Sequence, residues 1–301
     1  MLFRSIITRL RLNFSLNICY TVIQHLYTNN SPGGITVKKK KVLRFILIYL
    51  LSGIAFFVLT LPFHKLLSVF TVTEVRPSAV LYPFLGISFG LPSALGIMTA
   101  NFISDAMNGY SLAILFEGLI PQLLYTMVPY YIWKWLMKGE DHKHRLDCAA
   151  RVLKYALVCL AFSLLSALGV GLLMYINFHI DPTQAALFVL LNNFHMSLVL
   201  GCPLMVISNQ IISRRAGTDR TLTRNEIIII ITAAVQVVLF AGVAITVYAG
   251  GKTMGTYDIW NTIYIIEVVM ISVTLPISLG CMALFGKSKN TNNNCEKQLT
   301  E

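Results

Sequence analysis

The chain has 301 residues, of which 56% are hydrophobic and only 12% are charged, and its formal net charge is +11. Apolar runs of about 20 residues, which match the ~30 Å hydrocarbon core of a bilayer, recur along the chain. This composition excludes a water-soluble globular protein. It predicts an all-α fold, a polytopic membrane helix bundle with the lipid bilayer as its surroundings.

The positive charge lies in short segments between the apolar runs and does not form one basic face. Of the 24 lysines and arginines, only Lys65, Arg76 and Lys252 fall in segments that we expect to lie outside. Basic residues beside membrane spans are typical of the cytoplasmic side. The distribution predicts a multi-pass protein of the cell (plasma) membrane with both termini in the cytoplasm, and it argues against nucleic acid as a partner.

Residues 1–41 form an N-terminal extension. Its arginines lie among apolar residues, and no acidic residue occurs before Glu74. Several interpretations remain open: an amphipathic helix on an anionic membrane surface, an organelle transit peptide, an unstructured extension, or translation begun upstream of the true start.

One transmembrane helical domain is predicted over residues 42–286, followed by a polar cytoplasmic tail, residues 287–301, that is expected to be disordered. The first span is residues 42–61. The next apolar stretch contains Gly90-Leu91-Pro92, which ends one helix and allows another to begin, and this divides it into two short helices, 78–90 and 92–108. A longer helix from about Ser111 and spans at residues 152–178, 183–212, 226–249 and 259–285 complete a bundle of about eight crossings.

The division of residues 78–108 agrees with the charges. The basic segments 38–41 and 138–151 are both expected in the cytoplasm, so an even number of crossings must separate them. Two short helices satisfy this condition, whereas one long helix does not. A re-entrant hairpin that enters and leaves on the outer side satisfies the same parity.

Small residues recur at helical spacing in the two short helices. Gly86 and Gly90 are four residues apart, as are Gly96, Ala100 and Ser104. On a helix this spacing forms a stripe along which another backbone can approach closely.

The sequence LGISFGLPSALG at residues 85–96, followed by Asp105 and by GLIP at residues 118–121, resembles a known family. It is similar to the membrane-embedded substrate-binding (S) component of energy-coupling-factor vitamin transporters, and to S-component-like membrane domains. The resemblance covers about residues 42–137. It implies a small-molecule ligand, a transmembrane coupling subunit and ATPases as partners.

Two features depart from the family pattern. The family has a six-helix core, whereas this sequence predicts about eight crossings. The family's first helix usually carries an Ala-x-x-x-Ala face for docking the coupling subunit, but here the small residues are Ser52, Gly53 and Ala55, and no such pair occurs. The second departure puts docking to an energising module in doubt more than it does the fold.

Polar side chains within the predicted spans fall in their outer half. Because a water-filled cavity open to the exterior would keep such groups solvated, we expect them to line a substrate site, with the first outer loop at its mouth or lid. The predicted substrate-binding residues are Glu74, Arg76, Asn101, Asp105, Glu117, Asn192, His195 and Glu267.

A structural role remains open for each of these groups, which could instead hydrogen-bond to a neighbouring helix and hold the bundle together. This alternative applies most to Asn192 with its neighbour Asn193, and to His195 as a packing histidine. Glu267 fits either a cation partner or a protonated structural group.

Catalytic and metal-binding motifs were not found. The chain has no Walker A loop, no HExxH and no GxSxG, and its six cysteines form no CxxC pair. We therefore expect no enzyme activity, no cofactor and no metal. The sequence predicts a substrate-binding integral membrane subunit of a small-molecule, vitamin-like uptake system that partner proteins energise. The alternative is a non-transporting membrane sensor or accessory domain with an S-component-like fold.

Overall fold

The computed structural model describes residues 34–66, 68–70, 73–74, 77–138, 145–179, 182–215 and 221–250. Within these ranges the regular secondary structure is helical apart from one short antiparallel ribbon, which confirms the predicted all-α class. Four of the described helices are long and apolar enough to cross a membrane: Lys39–Leu61, Leu112–Leu136, Ala149–Asn177 and Ala185–Ser213. The count of about eight crossings stays a prediction, because the predicted span at residues 259–285 lies outside the described residues.

The elements follow one another with short connections. The helices are α1 Gly34–Leu66, α2 Leu81–Phe89, α3 Leu91–Met107, α4 Leu112–Leu136, α5 Ala149–Phe178, α6 Pro182–Arg215 and α7 Arg224–Gly250. The strands β1 Ser68–Phe70 and β2 Thr73–Glu74 pair after α1, and a 3-10 helix, Pro77–Val80, leads directly into α2. Helix α1 begins before the predicted span, since its lysines are good helix formers and nothing there breaks the helix.

The chain changes direction at Gly90, between the two short helices that the sequence predicts. Gly90 has φ +66° and ψ −135°, a backbone conformation that glycine adopts at little cost. The Ser93 hydroxyl lies close to the carbonyl oxygens of Gly90 and Leu85, at 2.7 and 2.9 Å, and ties the turn to both helices. Pro92 fits the first turn of α3, because its missing N–H would have no partner there.

Contacts with α4 show that α2 and α3 form a hairpin. Tyr82 donates a hydrogen bond to Gln122, while Gly86 packs against Thr126 and Gly90 against the ring of Tyr130. The partners advance by four residues on both helices, so α2 runs parallel to α4. After the turn the order reverses, because the rings of Phe102 and Phe116 lie 5.7 Å apart near the start of α4.

The small-residue stripe of α3 packs against α1. A Cβ atom added to Gly53 would lie 3.0 Å from the carbonyl oxygen of Gly96 and 3.8 Å from the Cβ of Ala100. The Tyr49 hydroxyl donates a hydrogen bond of 3.0 Å to Thr99 on the same side. The predicted close approach of another backbone is therefore present, and α1 provides it.

Helices α5 and α6 form an antiparallel pair at the centre of the bundle. Gly171 packs against Pro182 and Ala186 at one end of the pair, and the Tyr155 hydroxyl donates to the carbonyl oxygen of Ser197 nearer the other end. Helix α4 packs on α5, and α7 packs on α6. The 3-10 helix is buried between α1 and α6, which brings its polar groups into the core.

Candidate functional site

A set of buried polar side chains connects α5, α6 and the 3-10 helix. We call this set the central polar cluster, and it consists of Ser78, Ser163, Ser166, Asn192, Asn193 and Ser197. All six residues are buried, although they lie within apolar helices. The cluster is therefore a polar region inside the bundle and not part of its surface.

Hydrogen bonds join the two helices through this cluster. The Asn193 amide donates to the Ser166 hydroxyl at 2.8 Å, and the Asn192 amide donates to the Asn193 side-chain oxygen at 3.3 Å. Ser166 donates in turn to the carbonyl oxygen of Ser163 at 3.0 Å. One turn further along α6, the Ser197 hydroxyl donates to the carbonyl oxygen of Ala79 at 3.2 Å, which links α6 to the 3-10 helix.

Two atoms of the cluster have no hydrogen-bond partner among the residues that the structure describes. They are the hydroxyl oxygen of Ser78, which is 0% exposed, and the side-chain oxygen of Asn192, which is 2% exposed. An unsatisfied buried polar group costs about 1–3 kcal/mol. A hydrogen bond to each atom, from ordered water or from a bound polar molecule, would remove this cost.

Aromatic side chains pack beside the cluster. The rings of Tyr82 and Phe162 are stacked with their centroids 5.2 Å apart, and the ring of Tyr125 meets them edge-on at 6.0 and 6.2 Å. The Tyr125 hydroxyl lies 3.5 Å from the carbonyl oxygen of Ser166, which links the rings to the cluster. Aromatic surface beside a few placed polar groups is typical of small-molecule sites.

Two of the predicted site residues belong to this part of the bundle. Asn192 is a member of the central polar cluster, and His195 is buried three residues further along α6. Among the described residues, the hydrogen bonds that start at Asn192 lead to Asn193 and Ser166 and not to another predicted site residue.

Asn101 and Asp105 form a separate pair on α3. The Asn101 amide donates to the Asp105 carboxylate at 2.6 Å, so the two side chains share one face of the helix, as their spacing of four residues predicts. Asn101 is buried, whereas Asp105 is partly exposed near the end of the helix.

Glu117 lies at the end of the bundle where α4 begins. Its carboxylate accepts a hydrogen bond of 2.9 Å from the amide of Asn177 on α5, and Glu117 is exposed. Asn177 is eleven residues from Ser166 along α5, which corresponds to about 16 Å. The structure therefore does not bring Glu117 to the central polar cluster.

The structure does not describe the side chains of the remaining predicted residues. Glu74 lies in β2, where its backbone pairs with Ser68. Arg76 and Glu267 lie outside the described residues.

A second polar cluster, which the sequence did not lead us to expect, lies at the starts of α5 and α7. Arg151 and Asp147 form a buried ion pair of 2.6 Å, and the Asn225 amide donates to the carbonyl oxygen of Asp147 at 2.7 Å. Glu226 is fully buried, and its carboxylate accepts hydrogen bonds from the backbone N–H and hydroxyl of Thr223 at 2.9 and 3.0 Å.

Two signals in the sequence could have identified this second cluster. Thr223 and Glu226 have the T-x-x-E spacing of a helix capping box. Asp147 and Arg151 are four residues apart, the spacing of a helical ion pair. Neither signal is specific in this sequence, because the surrounding arginines are also typical of cytoplasmic segments beside membrane spans.

The side chains of the central polar cluster are hydroxyls and amides, which can form hydrogen bonds with a ligand. In the described parts of the chain, no three His, Cys, Asp or Glu side chains are grouped so as to hold a metal ion. No protein-family model, curated protein or solved structure matches this chain. The functional proposal therefore rests on the geometry of the cluster itself.

Proposed function

We propose that the protein is the substrate-binding integral membrane subunit of a small-molecule uptake system, energised by partner proteins. The observation that carries the proposal is the pair of buried atoms without partners, on Ser78 and Asn192. Lipid tails cannot satisfy such groups, so within a membrane protein they require either water or a ligand. The occupant that we propose is a small polar molecule with a hydrogen-bond donor for the Asn192 oxygen.

The hairpin of α2 and α3 supports the S-component-like interpretation, since its turn falls at the Gly90 motif that carries the resemblance. The limb from Pro77 to Phe89 is about 22 Å long, less than the ~30 Å of the hydrocarbon core. This length favours a re-entrant hairpin over two full crossings. Both arrangements keep the proposed plasma-membrane topology, in which the two termini are cytoplasmic.

The proposal predicts that ligand affinity depends on Asn192. We would screen the purified full chain in detergent against a library of small polar metabolites, with the shift in melting temperature as the readout. An Asn192→Ala variant should weaken binding of a hit about ten-fold, because one hydrogen bond to a buried group is lost. Asn209→Ala is the matched control, since it removes a buried amide from the same helix about 26 Å away.

Two outcomes would contradict the proposed site. One is that no library member raises the melting temperature of the wild-type chain. The other is that Asn209→Ala weakens binding of a hit as much as Asn192→Ala does.

A specific observation favours the second candidate, a non-transporting sensor or accessory domain. Gly53 on α1 packs against Gly96, and Ser52 is buried, so the small-residue face of the first helix is used inside the bundle. That face is then not available for docking a coupling subunit. Affinity purification from native membranes separates the two functions: a transmembrane coupling subunit with ATPases supports uptake, and a kinase or phosphatase supports sensing.

A further inference from the structure

Helices α5 and α7 begin at the same end of the bundle. The Asn225 amide of α7 reaches the carbonyl oxygen of Asp147, two residues before α5 begins. A helix N-terminus carries unpaired backbone N–H groups and a partial positive charge. Two of them side by side form a site that favours an anion.

The charges at this end add to the same effect. Residues 145–154 and 221–226 contain four cationic residues (Arg145, Arg151, Lys154, Arg224) and two anionic ones (Asp147, Glu226), a surplus of two positive charges. Arg151 lies in the first turn of its helix, where a cation is unfavourable unless an anion is close. Asp147 compensates Arg151 through their ion pair, and Glu226 caps its own helix.

Two buried amides at this end have atoms without a partner among the residues described. The side-chain nitrogen of Asn209 is a donor, the side-chain oxygen of Asn225 is an acceptor, and each residue is 8% exposed. The Asn225 side-chain oxygen lies in the second polar cluster, because the nitrogen of the same amide group donates a hydrogen bond to the carbonyl oxygen of Asp147.

Helix periodicity places Asn209 at the same end of the bundle as Asn225. Asn209 follows Met205 by one turn on α6, and Asn225 precedes Ile229 by one turn on α7. Met205 and Ile229 belong to the same buried apolar cluster, and α6 and α7 are consecutive helices that pack together. We therefore expect the amides of Asn209 and Asn225 to lie at the same depth in the bundle as Asp147.

We propose that this end of the bundle binds the headgroup of an anionic phospholipid between the N-termini of α5 and α7. The phosphate would accept from Asn209 and from the helix N-termini, and a headgroup hydroxyl would donate to Asn225. The site lies where the membrane-compatible helix Ala149–Asn177 begins, which is the depth of a lipid phosphate. Basic sites between helices at a membrane surface are suited to such lipids. This proposal is independent of the central polar cluster.

The test uses the full chain in nanodiscs of equal phosphatidylcholine and phosphatidylglycerol, with lipid retention measured by native mass spectrometry. The wild type should retain phosphatidylglycerol in preference to phosphatidylcholine. Arg224→Ala and Asn209→Ala should each lower that retention about five-fold. Lys134→Ala removes the same charge from an exposed site near this end, above the ring of Tyr130, and should leave retention unchanged.

Three results would overturn the proposal. The first is equal retention of the two lipids by the wild type, and the second is a loss in Lys134→Ala as large as that in Arg224→Ala, which would indicate general attraction to anionic lipid. The third is displacement of the lipid by millimolar glycerol 3-phosphate, which would assign the same phosphate chemistry to a soluble ligand. Melting temperatures in lipid-free detergent verify that the variants are folded.

Discussion

Replacing Gly96 by alanine tests the contact between α3 of the α2–α3 hairpin and α1. An alanine Cβ at this position would lie 3.1 Å from the backbone nitrogen of Gly53 and far inside van der Waals contact with the carbonyl oxygen of Tyr49. Both atoms belong to the backbone of α1, so no side chain can rotate away. The helices would have to separate by about 1 Å to reach an ordinary distance.

The expected cost follows from two opposing effects. Overpacking of this kind destabilises by about 1–3 kcal/mol, while alanine in place of a helical glycine contributes about 1 kcal/mol of helix propensity. Gly118→Ala isolates the second effect, because a Cβ there meets nothing within 4 Å in the described parts of the chain. We expect Gly96→Ala to be less stable than Gly118→Ala by about 1–3 kcal/mol.

Thermal unfolding of the purified variants in detergent, followed by tryptophan fluorescence, measures this difference. At about 2–4 °C per kcal/mol, the two melting temperatures should differ by roughly 2–12 °C. Equal melting temperatures would refute the close packing of α1 on α3.

Two further predictions concern the turn and the second cluster. Gly90→Ala should lower stability by about 1–3 kcal/mol from backbone strain alone, because residues with a side chain rarely adopt φ +66° with ψ −135°. The loss should exceed that of Gly109→Ala, because Gly109 also has a positive φ but no neighbour within 4 Å among the described residues. Equal losses would argue against the packing of Gly90 on α4. Arg151→Ala should lower the free energy of unfolding by about 3–5 kcal/mol, because it leaves Asp147 buried without its ion-pair partner. Removing both charges, from Arg151 and Asp147, should lower it by less than Arg151→Ala does. Additive losses in a double-mutant cycle would count against the pair.

Local features of the sequence predicted local features of the fold. Gly90-Leu91-Pro92 predicted the break between α2 and α3, because a positive φ and a missing N–H act within a few residues. The spacing of Gly96 and Ala100 predicted a close helix contact, and the spacing of Asn101 and Asp105 predicted a shared face.

The central polar cluster could be predicted only in part, because its contacts join distant parts of the chain. Ser197 and Ala79 are 118 residues apart, and Ser166 and Asn193 are 27 apart. Asn192 was predicted as a site residue because it is an amide in an apolar span. Ser78 did not, because a serine is common in membrane helices and its burial depends on where the 3-10 helix enters the bundle.

The most direct measurement of the central claim is native mass spectrometry of the full chain purified from its native membranes, with Asn192→Ala and Asn209→Ala beside the wild type. We predict that the wild type and Asn209→Ala carry a bound small polar molecule and that Asn192→Ala has lost it. A wild-type chain without such a molecule, or equal occupancy in all three proteins, would contradict a ligand site at Ser78 and Asn192.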